Sequence, residues 1–120
     1  MQYEEIPNLT VSEVEMAIQN NNPESLRVVP ISVSFYATNL RWAEQICLHL
    51  SKHPNNNVRG NAILGLGHLA RRFGTLTQVL VQPVLEQALQ ASNVFIRGQA
   101  EAAAGDIELF LKWKLKRPKH

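Results

Sequence analysis

An internal repeat constrains the fold of this chain more than any other feature of its sequence. Residues 55–73 and 93–111 match at a shift of 38 positions, and small residues fall on small residues. The matched pairs include Val58 with Ile96, Arg59 with Arg97, Gly60 with Gly98, Ala62 with Ala100 and Gly67 with Gly105. Self-similarity at a period of about 20–50 residues is typical of solenoids, in which each repeat buries its apolar face by stacking on the next. The repeat therefore predicts an all-α fold, a short α-solenoid.

The segments around the two copies extend the pattern to about three helical hairpins. An amphipathic stretch precedes each copy, "LRWAEQICLHLSKHP" and "TQVLVQPVLEQALQASN", and each stretch ends at a turn. A degenerate copy comes first, where Thr10 and Glu13 form a capping box that opens a helix. We expect hairpins at about 10–37, 39–74 and 75–113, with Pro30 kinking or ending the second helix of the first. Residues 1–113 then form one solenoid domain, and residues 114–120 form a frayed basic tail.

Three glycines lie inside the predicted helix at 57–74, namely Gly60, Gly65 and Gly67. Each costs about 0.5–1 kcal/mol relative to alanine. A helix in the middle of a stacked array touches its hairpin partner on one side and a neighbouring repeat on the other. Glycines there allow a close backbone approach, so we expect this helix to be crowded from two directions.

The last copy differs from the middle copy in the polarity of one helix face. Glu101 and Glu108 stand where the middle copy has Ile63 and Ala70. A terminal repeat needs a polar outer face, because nothing stacks beyond it. We therefore expect both glutamates to be exposed, and the array to end here as a complete small domain.

Composition and charge favour a cytoplasmic protein that acts outside membranes. The 120 residues suit one domain, and no apolar run approaches the length of a membrane span. The N-terminus "MQYEEIPNLT" lacks the hydrophobic core of a secretory signal, and Cys47 is the single cysteine. The formal charge is uneven: residues 112–120 carry five Lys or Arg and no acid, whereas the remaining residues carry seven Lys or Arg against ten Asp or Glu, a net −3. A basic end of this kind is either a nucleic-acid-binding arm or a solvated terminus, and the second is the commoner case.

No catalytic, cofactor or metal motif is recognisable. His49 and His53 are spaced for one helix face but lack the glutamate of H-E-x-x-H, and a zinc site wants three or four ligands. Cys47 has no nearby base and is expected to be a buried small hydrophobe. The "GLG" at 65–67 lies in a helix rather than after a strand, so it is not a phosphate loop. We predict that the chain is not an enzyme and binds no cofactor, metal or nucleic acid directly.

The turn and the residues after it, "HPNNNVRGNAILGLGHLA", resemble a HEAT repeat. The resemblance covers about residues 39–111 well and 10–37 weakly. It implies that the arginines after the turns, Arg59, Arg97 and Arg27, brace successive turns. The usual turn aspartate is absent, and asparagines stand nearby instead: Asn55, Asn57 and Asn93. The iron-binding His-Glu pair of HEAT-like hydroxylases is also missing, because Leu69 follows His68.

The second helices of HEAT-like hairpins line a concave face on which partners bind. On a helical projection the polar residues of this face are Asn61, His68, Arg72, Gln99 and Asp106. Aromatic residues that an interface would use are Phe35, Tyr36, Trp42 and Trp113. We expect Phe35 to lie in the core and Trp42, at a helix start, to be partly exposed.

Three stretches, "RWAEQICLHLSKHP", "VRGNAILGLGHLAR" and "GDIELF", resemble immunity proteins of contact-dependent growth inhibition and other polymorphic toxin systems. The resemblance implies a cytoplasmic protein that binds a cognate toxin, often a basic nuclease, and covers its active site or substrate surface. An acidic body suits a basic partner. The expected contacts are the polar residues of the concave face, one tryptophan and several acidic residues. They are Glu13, Glu15, Glu24, Trp42, Asn61, His68, Arg72, Gln99, Asp106 and Glu108. The alternatives are a non-catalytic HEAT-like scaffold or assembly factor and, from another class, a HEAT-like enzyme with a deep pocket.

Overall fold

Seven α-helices make up the chain in a computed structural model that describes residues 5–118. In chain order they are α1 (Val11–Asn20), α2 (Pro23–Leu26), α3 (Val29–Tyr36), α4 (Leu40–Leu50), α5 (Asn56–Phe73), α6 (Gln78–Leu89) and α7 (Val94–Leu111). They form three hairpins: α1 with α2 and α3, α4 with α5, and α6 with α7. The predicted all-α class and the solenoid-like stacking of hairpins are confirmed over this range.

The first hairpin differs from the prediction at its second helix. The break falls at Arg27 and Val28, between α2 and α3, rather than at Pro30. Pro30 lies in the first turn of α3, where its missing N–H is not needed and its fixed φ suits the helix. The proline therefore begins a helix instead of ending one.

Helix α5 lies at the centre of the molecule, between α3 on one side and α7 on the other, with α4 packed behind it. Its buried side is continuous with the core, and Val58, Ala62, Leu66, Leu69 and Ala70 are fully buried. A Cβ on Gly65 would lie 3.0 Å from Cys47 Sγ and 3.2 Å from the Pro30 carbonyl oxygen. A Cβ on Gly60 would lie 2.6 Å from the Phe95 ring. Helix α5 is thus crowded from two directions, as the sequence predicts.

Asparagines stand at the start of most helices because their side chains accept hydrogen bonds from the first free N–H groups. Asn55 caps α5 and Asn93 caps α7, at equivalent positions of the repeat. Thr10 and Glu13 form the predicted capping box on α1. Two of the three turn asparagines, Asn55 and Asn93, therefore serve as helix caps, whereas Asn57 lies within α5.

The HEAT resemblance implies that three arginines brace successive turns, and the contacts of these three arginines differ from one another. Arg97 donates to the carbonyl oxygens of Ala91 at 2.8 Å and Ser92 at 3.4 Å, which bind the turn to α7. Arg27 pairs with Glu24 at 3.4 Å instead. The Nε of Arg59 is buried and has no hydrogen-bond partner among residues 5–118.

The basic C-terminal segment, residues 112–118, lies along α6 and α7 and is here called the strap. Trp113 and Leu115 pack against the core, while the alternating Lys112, Lys114 and Lys116 are exposed. Alternation of apolar and basic residues suits an extended chain with one face buried, because successive side chains point to opposite sides. Residues 119 and 120 of the predicted tail, and residues 1–4 of the predicted domain, lie outside the described residues.

Hydrogen bonds and ion pairs hold this strap in place. Gln82 Nε2 donates to the Lys114 carbonyl oxygen at 3.1 Å, and the Lys116 N–H donates to the Glu86 carboxylate at 2.7 Å. Arg117 pairs with both Glu101 and Glu108. These two glutamates are 51% and 34% exposed, so they form the polar outer face that the sequence predicts.

Candidate partner-binding face

The solvent-exposed sides of α3, α5 and α7 lie next to one another and form one surface, here called the front face. Helix α5 contacts both of the others, so polar side chains along it can reach either neighbour. Large apolar side chains are exposed on the outer two helices. They include Phe35 on α3 and Phe95, Leu109 and Phe110 on α7, each between 41% and 61% exposed. The front face therefore combines a polar centre with aromatic edges.

Asn61 links three helices near the start of α5. Its Nδ2 donates to the carbonyl oxygen of Arg27 at 2.8 Å, at the end of α2. Its Oδ1 accepts from Gln99 Nε2 at 3.0 Å, on α7. Both polar atoms of Asn61 are thus used within the fold.

Two adjacent arginines near the end of α5 point to opposite neighbours. Arg71 donates to the Asp106 carboxylate on α7 at 3.0 Å. Arg72 donates to the carbonyl oxygens of Ser34 at 2.9 Å and Ala37 at 2.8 Å, at the end of α3. Arg72 also stacks over the Phe73 ring, with 4.7 Å from its guanidinium carbon to the ring centroid. The charge of Arg71 therefore meets a carboxylate, whereas the contacts of Arg72 within residues 5–118 are neutral carbonyl groups and an aromatic ring.

His68 lies between these arginines and α3. Its Nδ1 is 3.3 Å from Ser34 Oγ, and its ring meets the Phe35 ring edge-to-face with 5.0 Å between centroids. Burial, followed by the charge of Arg71, lowers the pKa of His68 below its ordinary 6.5, and Asp106 acts in the opposite direction. His68 is therefore neutral at pH 7.

A small cavity of about 70 Å³ opens on the front face among these side chains. We call it the notch. Its lining residues are Ser34, Phe35, His68, Arg71 and Arg72. It is an aromatic-walled concavity beside two guanidinium groups.

The structure brings together five of the predicted contact residues and separates the rest. Asn61, His68, Arg72, Gln99 and Asp106 share the front face. Glu13, Glu15 and Glu24 lie on α1 and α2, and Glu108 is paired with Arg117. Trp42 is half-buried in a separate groove lined also by Leu9, Tyr36 and Val33.

Two features of the structure escape the sequence analysis. Phe35, expected in the core, is 45% exposed, because α3 turns this side chain toward His68 on the front face. Glu44 on α4 is 2% exposed, and its carboxylate accepts from the N–H and the hydroxyl of Thr77 at 2.6 and 2.7 Å. Thr77 is the N-cap of α6, so Glu44 joins α4 to the start of α6. A single acid within the apolar spacing of "WAEQIC" is the signal that could have revealed it.

Within 5–118 no three His, Cys, Asp or Glu side chains come together as a metal site would require. No helix in that range has the length and hydropathy needed to cross a bilayer.

Comparison with known proteins gives sequence relatives and a structural neighbour of different kinds. No family model matches the chain. The proteins named tyrosine recombinase XerC from Shewanella sp. strains ANA-3 and MR-4 are each 30% identical to it over 117 residues, which are 94% of this chain and 35% of the relative. The chain thus spans about a third of the length of these relatives.

A structural neighbour is a chain of the CDI complex from Cupriavidus taiwanensis LMG 19424, with a TM-score of 0.78 and 22% sequence identity. The superposition covers 92% of this chain and 97% of the other. This likeness shows that the two chains share a fold over almost their whole lengths.

Proposed function

We propose that this chain is an immunity protein, which binds a cognate bacterial toxin of a contact-dependent inhibition system and neutralises it without catalysis. The observation that carries the proposal is the fold shared over 92% of the chain with a member of a CDI complex. The three stretches that resemble immunity proteins support it from the sequence, and they lie mainly on α4, α5 and α7.

The construction of the front face suits protein binding. Its polar groups are already bonded between helices, so the surface is rigid and loses little conformational entropy when a partner binds. Its exposed aromatic side chains are of the type that dominates interface energies. The toxin would be held across this face, with its active site or substrate surface covered.

We further propose that the toxin is a basic nuclease and that the protein works in the cytoplasm, with no cofactor and no direct contact to nucleic acid. Residues 5–38 carry four glutamates against one arginine, a net charge of −3. Glu13, Glu15 and Glu24 belong to this acidic end. Opposite charge on a partner raises its rate of association, so this end would steer a basic toxin toward the front face.

Growth and affinity measurements test the proposal together. The chain, tagged at its N-terminus, is used to capture partners from its native cells, and each stoichiometric partner is then expressed alone and with the chain. We expect one partner that arrests growth alone, is tolerated with the chain, and binds it with a Kd in the nanomolar range or below. Growth arrest that the chain does not relieve, for every partner captured, would refute the immunity role.

A second candidate function is a non-catalytic scaffold that contacts nucleic acid, and two observations favour it. The chain resembles about a third of proteins named recombinases. In addition, Lys112, Lys114 and Lys116 form an exposed row along the strap, and none of the ion pairs within 5–118 involves them. Salt-dependent binding to duplex DNA, lost when these lysines are changed to glutamine, would favour this candidate.

A further inference from the structure

We infer that the notch on the front face seats a carboxylate side chain, Asp or Glu, of the protein partner. The inference rests on the proposed function and adds to it the chemistry of the anchor and its position. The observation behind it is the unequal pairing of the two guanidinium groups that border the notch.

The charges around the notch do not balance. Arg71 is paired with Asp106, whereas Arg72 contacts the Ser34 and Ala37 carbonyl oxygens and the Phe73 ring, none of which carries a net charge. His68 is the remaining titratable group lining the notch. With His68 neutral, one positive charge is left without an acid.

Hydrogen-bond donors also remain available at the notch. A guanidinium has five N–H donors in a planar fork that matches a carboxylate. Arg72 uses two of its nitrogens on α3, and Arg71 uses one on Asp106 while its side chain remains 55% exposed. A carboxylate would meet donors that the fold leaves unpaired.

The size and walls of the notch point to the end of one side chain. A volume of about 70 Å³ is a few water-sized positions and far below a small-molecule pocket of about 300 Å³ or more. The Phe35 ring, set edge-to-face on His68, forms an apolar wall. Such a wall excludes water once a partner covers it, and the loss of water strengthens the attraction between the charges.

A protein carboxylate fits this arrangement better than a nucleic-acid phosphate. Binding of a phosphate backbone draws on several cations in contact with successive phosphates. The notch offers one charge, that of Arg72, with no carboxylate partner among residues 5–118, and one aromatic ring in its lining, that of Phe35. The lysine row, by contrast, lies on the strap, which packs along α6 and α7, and is outside the notch lining.

Titration with small anions tests the notch without the toxin. The ¹⁵N-labelled chain is titrated with sodium acetate, then with sodium phosphate, each against sodium chloride at equal ionic strength. We expect acetate to shift the side-chain NMR signals of Arg71, Arg72 and His68 in a saturable way. Absence of that response, or a tighter response to phosphate than to acetate, would overturn the carboxylate assignment.

Charge variants test the notch in the complex with the toxin identified by the growth assay. We expect Arg71→Glu to weaken toxin affinity about 30-fold or more, mainly through faster dissociation. Lys114→Glu makes the same change in net charge on the strap and should change affinity less than threefold. Equal losses for the two variants would mean that only overall charge matters, and the inference would be wrong.

A neutral variant gives the sign of the partner's charge and avoids the destabilisation that a charge reversal can cause. Asp106→Asn removes the acid that competes for Arg71, so it should raise toxin affinity several-fold if the anchor is a carboxylate. Lower affinity for this variant would indicate a cationic anchor and would overturn the inference. Growth protection by the unmodified chain decides the immunity role separately, so the two failures are distinguishable.

Discussion

Gly67 of α5 lies so close to Ala103 of α7 that a Cβ added to it would be 2.7 Å from the Ala103 Cα. Gly105, the residue of α7 that matches Gly67 in the repeat, has nothing within 4 Å of the same position. The same residue type at the same point of the repeat thus has a packing role in one helix and none in the other among residues 5–118.

Alanine substitutions at these two glycines should have opposite effects on stability. Gly67→Ala forces α5 and α7 apart and is expected to lower the free energy of unfolding by about 1–3 kcal/mol. Gly105→Ala removes the flexibility of an interior helical glycine and should raise it by about 0.5–1 kcal/mol. Urea denaturation of both variants measures the difference. Two changes of the same sign would contradict the close approach of α5 and α7.

Removal of the buried Glu44 carboxylate should loosen the start of α6. Glu44→Ala leaves the Thr77 N–H and hydroxyl without their partner, and the expected loss of stability is about 1–3 kcal/mol. Hydrogen exchange should accelerate at the first turn of α6 more than elsewhere. Glu15→Ala, at an exposed position of α1, serves as the control and should change stability by less than about 0.5 kcal/mol.

The thiol of Cys47 should be unreactive in the folded protein. Cys47 is completely buried, and burial followed by the negative charge of Glu44 raises the pKa of its thiol from 9.0 to about 12. Thiol reagents at pH 8 are therefore expected to label it only as fast as the protein unfolds, and at once in urea. Rapid labelling without denaturant would show that the region between α4 and α5 opens more readily than its packing indicates.

Acidification should release the strap from α6. The hydrogen bond from the Lys116 N–H, followed by that from Gln82, lowers the pKa of Glu86 below its ordinary 4.5. This carboxylate therefore stabilises the docked strap fully above about pH 4.5, and the contribution is lost as the pH falls through the lowered value. Trp113 fluorescence in a Trp42→Phe background reports the release.

A neutral side chain at position 86 provides the matched test of this pH dependence. Glu86→Gln should weaken strap docking at pH 7 and abolish the acid transition of Trp113. A transition of unchanged midpoint in this variant would mean that another group controls the strap.

The sequence alone predicts the parts of this fold that depend on local or repeated patterns. The period of 38 positions locates α5 and α7, and the Thr10–Glu13 box locates the start of α1. The position of Pro30 and the docking of the strap depend on tertiary packing, which helix propensities do not contain. The strap in particular is held by Glu86, which is 30 residues away from Lys116 in sequence.

The candidate site was predictable in its polar residues and unpredictable in its aromatic ones. Asn61 and Gln99 lie on equivalent polar stripes of α5 and α7 that a helical projection finds, and they do bond to each other. The exposure of Phe35 depends on how α3 is rotated against α5, and its sequence position shows nothing of that rotation. Arg72 likewise pairs with carbonyl groups and not with a carboxylate within residues 5–118, and only the packed structure shows these contacts.

The front face has residues that hold the fold together and other residues that are exposed to a partner. Asn61, Arg71 and Arg72 make bonds across α3, α5 and α7. These residues hold the helices in register, whereas Phe35, Leu109 and Phe110 project beyond them into solvent. The exposed residues can be replaced one at a time while the framework beneath them stays bonded. A lineage of such proteins could therefore change partners through a handful of surface substitutions and keep the same scaffold, so divergence in recognition would outpace divergence in shape.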